Sequence, residues 1–189
     1  MNKIYLIRHG KTAGNEQKRY IGRTDEPLCA SGRESLALRV APQADIVAVS
    51  PLLRCRESAQ ILYPGREQFV VHDFRECDFG DFENKNYIEL SSNPDYQAWV
   101  DSGGEMAFPH GESQKEFRAR CAAAFARFCS SLKEGESAAL IVHGGTIMSV
   151  LEAYAAQKRS FYDWHTENGQ GYSAVWENEC LHVEGKIWR

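Results

Sequence analysis

Six cysteines are present but no C-x-x-C pair. The irregular placing of Cys29, Cys55, Cys77, Cys121, Cys129 and Cys180 argues against a zinc knuckle or a dithiol redox centre, so buried, reduced thiols are expected. Neither G-x-x-x-x-G-K-[ST] nor G-x-G-x-x-G occurs, which removes the P-loop and dinucleotide-binding classes. There is no internal repeat, no low-complexity tract and no run of about 18 apolar residues, so no membrane span is predicted. A strand pattern begins almost at the first residue and leaves no room for a signal peptide; a cytoplasmic protein is expected. No spacing suits a metal, and no cofactor is called for. The net charge of −4 argues against a nucleic-acid surface.

What is present is uneven. Residues 1–66 hold 11 Lys+Arg against 6 Asp+Glu, and residues 67–189 hold 11 against 20. The first third is therefore +5 and the remainder −9, a distribution that draws a small anion and repels a long polyanion. Three apolar stretches each run directly into a basic or imidazole side chain. Ile4–Ile7 leads to Arg8-His9-Gly10, Ile46–Val49 leads through Ser50-Pro51 to Arg54, and Leu140–Val142 leads to His143-Gly144-Gly145-Thr146. Buried strands separated by helical stretches predict a parallel sheet, whose ligands bind beyond the carboxyl ends of the strands. Two arginines and two histidines would then converge at one sheet edge, a composition suited to a phosphoryl group.

The remaining elements follow from local signals. Lys11 to Ala30 reads as a long polar loop. Ser31-Gly32-Arg33-Glu34 has the pattern of a capping box opening a helix through about Ala41, and Ser50-Pro51 reads as an N-cap with proline at N1 for a helix through about Leu62. A short strand is expected at Gln68–Val71. Residues 72–112 read as an irregular cover over the site, with short helices near Tyr87–Leu90 and Tyr96–Val100. Ser113–Glu116 is a second capping box, starting a helix to about Lys133. A strand at Ala139–Val142 and a helix from Thr146 to about Ala156 come next. Ser173–Arg189 alternates as an antiparallel hairpin. The expected class is α/β, a three-layer α/β/α sandwich with a mostly parallel central sheet, forming one domain over residues 1–189. The sequence carries no signal for oligomeric state.

Taken singly, each candidate has a plain structural reading. Arg8-His9-Gly10 reads as a surface turn, Arg54 as a solvated helix residue, His143 as a core histidine and Glu76 as a loop acid. Together they are more specific. Leu6-Ile7-Arg8-His9-Gly10-Lys11-Thr12 with Asn15, then Ser50-Pro51-Leu52 with Arg54 and Ser58-Ala59, then Glu76 with Phe79-Gly80, then Gly111-Glu112-Ser113, then His143-Gly144-Gly145, resemble in order the signatures of the phosphoglycerate-mutase-like histidine phosphatase superfamily. The resemblance implies His9 as the nucleophile that becomes phosphohistidine, Arg8, Arg54 and His143 as the phosphoryl clamp, and Glu76 as the proton donor. It also implies contacts from Asn15, Gly22, Arg23 and Gly144 to substrate. The physics agrees, since phosphoryl transfer depends on positioning and on neutralising equatorial oxygen charge.

Tyr20-Ile21-Gly22-Arg23-Thr24-Asp25, with Pro27-Leu28 and Gly32, looks most like the α-ribazole phosphatase branch, as does Phe79-Gly80 followed by Asn93-Pro94, Trp99, Pro109 and Gly111-Glu112-Ser113. That likeness implies a phosphatase acting on a small phosphorylated metabolite, such as α-ribazole phosphate in cobalamin biosynthesis. Asn84 stands where the family commonly has glycine, and Lys11 where an acid or glutamine is usual. Competing functions are a phosphoglycerate mutase, another sugar-phosphate phosphatase, or a non-catalytic phospholigand-binding module. The short span of about 35 residues between Glu76 and Glu112 favours hydrolysis over the mutase, whose chains have an extended middle segment. Retention of His9, Arg8, Arg54, Glu76 and His143 argues against the binding module.

Overall fold

Strand β1 (Asn2–Arg8) lies inside a six-stranded sheet. It is described here from a computed structural model covering residues 1–188. Helices α1 (Ala13–Glu16) and α2 (Ala30–Ala37) follow, then β2 (Ile46–Val49), α3 (Leu53–Leu62) and β3 (Gln68–Val70). After two single 3-10 turns come α4 (Pro94–Asp101), α5 (Gln114–Ser131), β4 (Ser137–Val142), α6 (Gly144–Tyr154), a third 3-10 turn at Phe161–Trp164, and the hairpin β5 (Gly171–Glu177) and β6 (Cys180–Lys186). The sheet order is β3-β2-β4-β1-β5-β6. The first four strands in that order run parallel, and β5 and β6 are antiparallel additions.

Strand periodicity divides the core. Ile4, Leu6, Ala48, Ala138, Leu140 and Val142 face α5 and α6, meeting Phe125, Phe128, Ile147 and Leu151. Ile7, Val47, Val49, Ala139 and Ile141 face α2 and α3, meeting Leu36, Cys55, Ala59 and Leu62. Alternate residues bury on opposite faces because successive side chains of a strand point to opposite sides, and both faces are covered, as parallel strands require. The three-layer α/β architecture is therefore the observed one. All six cysteines are free thiols, four of them buried.

Several boundaries differ from the sequence expectation for identifiable reasons. Helix α2 starts at Ala30 with Cys29 as N-cap, so Ser31 forms no capping box; its hydroxyl donates to Glu16 Oε1 at 2.7 Å. The helix stops at Ala37 and not near Ala41, since Leu38 and Val40 beyond it are 87% and 88% exposed and have no core to meet. Ser50 does not cap α3. Its backbone N–H continues the ladder to Ile141 O (3.1 Å), its hydroxyl meets His143, and Leu52 takes the N-cap position. Residues Tyr87–Leu90 form a single capped turn, the Asn86 side chain accepting the Ile88 and Glu89 N–H groups, and the turn does not lengthen into a helix because Asn93, extended before Pro94, ends it. Helix α6 starts two residues earlier than expected, at Gly144, and ends at Tyr154.

Other expectations hold. Ser113 Oγ accepts from Glu116 N at 3.1 Å, and Glu116 Oε2 accepts from Ser113 N, the reciprocal box that opens α5. The helix expected near Tyr96–Val100 is α4, which begins slightly earlier, at Pro94, with the Asn93 side chain accepting from Asp95 N and Tyr96 N. The closing hairpin turns at Asn178 and Glu179, both at positive φ, as a two-residue turn requires. Among the described residues no helix is long and apolar enough to cross a membrane.

Candidate active site

The carboxyl ends of β1, β2 and β4 deliver their following residues to one place. His9 N donates to Val142 O (3.0 Å), which aligns the chain leaving β1 with the end of β4. The His9 and His143 rings meet edge-on with centroids 5.2 Å apart. His9 is 4% exposed, Arg54 1% and His143 0%. Their chain neighbours Arg8, Gly144 and Gly145, with Glu76, line an adjoining cavity of about 320 Å³, of which His9, Arg54 and His143 are not themselves lining residues. The structure thus brings His9, Arg8, Arg54, Glu76, His143 and Gly144 together from segments spread along the chain.

The tautomer of His9 follows from its partner. Nδ1 lies 2.7 Å from Gly10 O, and a carbonyl only accepts, so Nδ1 carries the hydrogen and Nε2 keeps its lone pair. Burial, reinforced by the nearby Arg54 and Arg8 charges, lowers the His9 pKa well below the ordinary histidine value. The imidazole is neutral at neutral pH, the form that can attack phosphorus. Burial and the Arg54 charge act on His143 in the same direction. Its Nε2 lies 2.7 Å from Ser50 Oγ, with Cys55 Sγ at 3.5 Å.

The arginines are fixed by carbonyls. Arg8 Nη1 donates to Thr166 O (2.7 Å). Arg54 donates to Thr24 O (2.8 Å), Gly22 O (2.9 Å) and Ile21 O (3.3 Å). The Nε of each is buried and unpartnered. A buried guanidinium with a spare donor and no bonded carboxylate is a site for an anion. Ser58 ties the floor together, its Oγ accepting from Gly10 N (3.0 Å) and donating to Arg54 O (2.6 Å).

Glu76 has the opposite character. Its Oε1 accepts from Cys77 N (3.0 Å) and lies close to Gly145. Burial raises its pKa above the usual carboxylate range, against the lowering pull of that bond and of Arg54 and Arg8. A carboxyl that holds its proton beside a cationic anion site is a ready general acid.

Three residues expected at the substrate do not line the cavity. The Asn15 side chain is spent on Thr12 N (3.3 Å) and Asn168 Nδ2 (3.0 Å), and Asn168 also reaches His9 O. Gly22 serves through its carbonyl; a Cβ there would stand 1.9 Å from Cys77 O, so no larger residue fits. The Arg23 side chain is 62% exposed, facing Asp78 at 3.5 Å. Asn84 sits at φ 58, the left-handed region that asparagine tolerates best after glycine, which explains its exchange for glycine. Lys11 is exposed, and its carbonyl accepts from Cys29 N.

Sequence reasoning missed the walls. Tyr20, Phe79, Trp99, Phe108, Phe117, Phe161 and Tyr162 line the cavity along with Arg8. Tyr20, Phe79 and Trp99 fall within recognisable motifs, but nothing in the local pattern of Phe161, Tyr162 or Thr166 marks a site. The Phe79-Gly80 and Gly111-Glu112-Ser113 blocks prove to be one structure: Gly80, at φ 53, and Gly111 let their two segments touch, since a Cβ on Gly80 would lie 2.0 Å from Pro109 O.

The chain is similar to known proteins. "Probable phosphoglycerate mutase GpmB" of Enterobacter sp. (strain 638) is 31% identical over 175 residues, covering 84% of this chain and 80% of its own. The protein of the same name from Serratia proteamaculans (strain 568) is 33% identical over 174 residues, with the same coverage. A putative alpha-ribazole-5'-P phosphatase from Escherichia coli str. K-12 substr. MG1655 shares the fold with a TM-score of 0.87 at 21% identity, covering 97% of this chain and 94% of its own. A phosphoglycerate mutase from Thermus thermophilus aligns with a TM-score of 0.73 at 28% identity, covering 96% of each chain. The family profile spans residues 4–186, so the chain belongs to branch 1 of the histidine phosphatase superfamily.

Proposed function

We propose that this protein is a metal-independent phosphomonoesterase working through a phosphohistidine on His9, with α-ribazole phosphate as its substrate. The observation that carries the substrate reading is the cavity wall. Beyond Arg8 and His165 the lining residues are uncharged apart from Glu76, and seven of the fifteen are Phe, Tyr or Trp. A phosphoglycerate leaving group brings a carboxylate that needs cations, whereas a planar apolar base gains area and ring stacking from such a wall. α-Ribazole phosphate carries a benzimidazole of that kind on a neutral ribose.

In the first step the neutral His9 Nε2 attacks phosphorus in line. The P–O bond to the ribose breaks, and Glu76 transfers its proton to the departing oxygen, giving a neutral alcohol. Arg8 and Arg54 hold the equatorial oxygens and supply the charge neutralisation that other phosphatases take from a metal. Water then attacks the phosphohistidine, passing its proton to the Glu76 carboxylate, and phosphate leaves with His9 regenerated. Two fixed guanidinium groups and two neutral imidazoles support this sequence.

The test is to supply α-ribazole phosphate and 3-phosphoglycerate separately, measuring released phosphate and isomerised product. We expect phosphate release with the larger kcat/KM on the ribazole ester. Isomerisation of phosphoglycerate without release would overturn the hydrolase reading in favour of the mutase.

A further inference from the structure

Beyond β3 the chain leaves the sheet, and the segment Asp73–Asp78 that carries Glu76 has no ladder to satisfy its carbonyls. One side chain meets three of them. Arg120, two turns into α5, donates to Asp73 O (2.8 Å), Arg75 O (3.0 Å) and Glu76 O (3.4 Å). The same guanidinium forks onto Glu112, Nε to Oε1 at 2.9 Å and Nη2 to Oε2 at 2.7 Å. Glu112 closes the ring from the other side: its N–H donates to Asp78 O (2.9 Å) and its Oε2 accepts from Asp78 N (3.4 Å). The pair is mostly buried, with side chains 13% and 16% exposed, and neither residue lines the cavity.

We infer that Glu112 and Arg120 are positioning residues for Glu76, buckling the Asp73–Asp78 segment so that the carboxyl stays aimed at the leaving-group oxygen. The assignment rests on the reading of Glu76 as proton donor. Only a guanidinium supplies donors in a planar array wide enough to bridge three carbonyls and a carboxylate at once. Lysine keeps the charge but not the array. The capping box at Ser113 sets where α5 begins, and so places Arg120 eight residues past Glu112 on the side facing the segment. Release of the buckle leaves the phosphoryl clamp intact, because His9, Arg54 and His143 are held by other elements. Its effect is therefore confined to chemistry that needs the proton.

The test compares an alkyl phosphate with p-nitrophenyl phosphate, whose leaving group departs without a proton, under single-turnover conditions that read formation of the phosphoenzyme. Glu76→Gln is the reference, expected to lose on the order of 10² to 10⁴ in rate on the alkyl ester and little on the aryl ester. Arg120→Lys is expected to lose about 10²-fold on the alkyl ester, the scale of a small misplacement, and several-fold at most on the aryl ester. In the Glu76→Gln background the same change should add almost nothing on either ester. Glu112→Gln, which keeps shape and one acceptor, gives a milder version of the pattern and serves where Arg120→Lys does not fold by circular dichroism. Equal losses on both esters, or additivity with Glu76→Gln, would make the pair a general structural support and overturn the inference. If Glu76→Gln itself lost equally on both esters, the proton-donor reading would fall, and this inference with it, by a result visible before either buckle variant is made.

Discussion

The buried histidine–arginine floor of the site, beside the cavity, is held mostly by main chain, and the cavity walls are held by side chains. His9, Arg54 and His143 each follow a strand of the central sheet, and their partners are mostly carbonyls of Gly10, Ile21, Gly22 and Thr24. The walls rest instead on a separate small core of Cys77, Phe82, Leu90, Tyr96, Phe108, Phe117 and Cys121. There the rings hold one another: Phe79 meets Phe108 edge-on at 5.1 Å, and Trp99 stacks on Phe108 at 5.1 Å. A floor of this sort tolerates little change in backbone course and, under the proposed mechanism, serves one reaction. Walls of this sort can be repacked, so substrate choice can change while the reaction persists.

That contrast breaks first at the nucleophile. His9→Ala should abolish turnover and leave no acid-labile phosphoenzyme after quenching with labelled substrate, while the apolar core stays folded. Label retained in the variant would move the covalent step elsewhere. Arg54→Lys should cost on the order of 10² to 10³ in kcat, since an ammonium lacks the paired planar donors that meet developing oxygen charge. A wild-type kcat in that variant would demote Arg54 to a buried structural cation.

Changes to the walls should be smaller and of a different kind. Trp99→Ala should raise KM for an ester bearing an aromatic base about tenfold, the scale of one lost ring contact. For a small alkyl phosphate, which never reaches the ring, neither KM nor kcat should move. A fall in kcat for both esters would show that floor and walls are coupled. The smallest effect is on stability in acid. His9 is held neutral in the folded state, so below the ordinary histidine value of 6.5 the unfolded chain binds a proton that the folded chain refuses. Stability is unaffected above that pH and falls below it, by up to about 1.4 kcal/mol per pH unit for each such group. His9→Asn should make the loss between pH 7 and 5 measurably shallower in chemical denaturation; an unchanged slope would place the imidazole in a wetter setting.

The same division decides what was legible in the sequence. Strand runs ending in Arg8-His9, Ser50 and His143 are contiguous signals, and sheet topology brings their ends together without any knowledge of side-chain partners. The parallel sheet and both helical layers followed from that periodicity. Helix starts were legible where the capping side chain had no better partner, as at Ser113, and illegible where it had one. Ser31 goes to Glu16 and Ser50 to His143, each outside its own helix. The aromatic walls draw Tyr20, Trp99 and Phe161 from three distant segments, and no period or motif relates them. The positions of Phe79, Trp99 and Phe108 depend on the folded course of the 72–112 segment, which composition marks as irregular without giving its path.

One consequence of the Arg54 cradle concerns how this protein can change over generations. The three acceptors that fix the guanidinium are carbonyls of Ile21, Gly22 and Thr24, and every amino acid carries a carbonyl. Mutation at 21 or 24 therefore cannot delete an acceptor, and the outward-pointing Arg23 between them can be replaced by almost anything while the cradle keeps its shape. Gly22 is the exception, locked by its approach to Cys77 O. A lineage can thus sample new side chains around the cradle through single substitutions, each leaving the Arg54 guanidinium with the same acceptors and the same place.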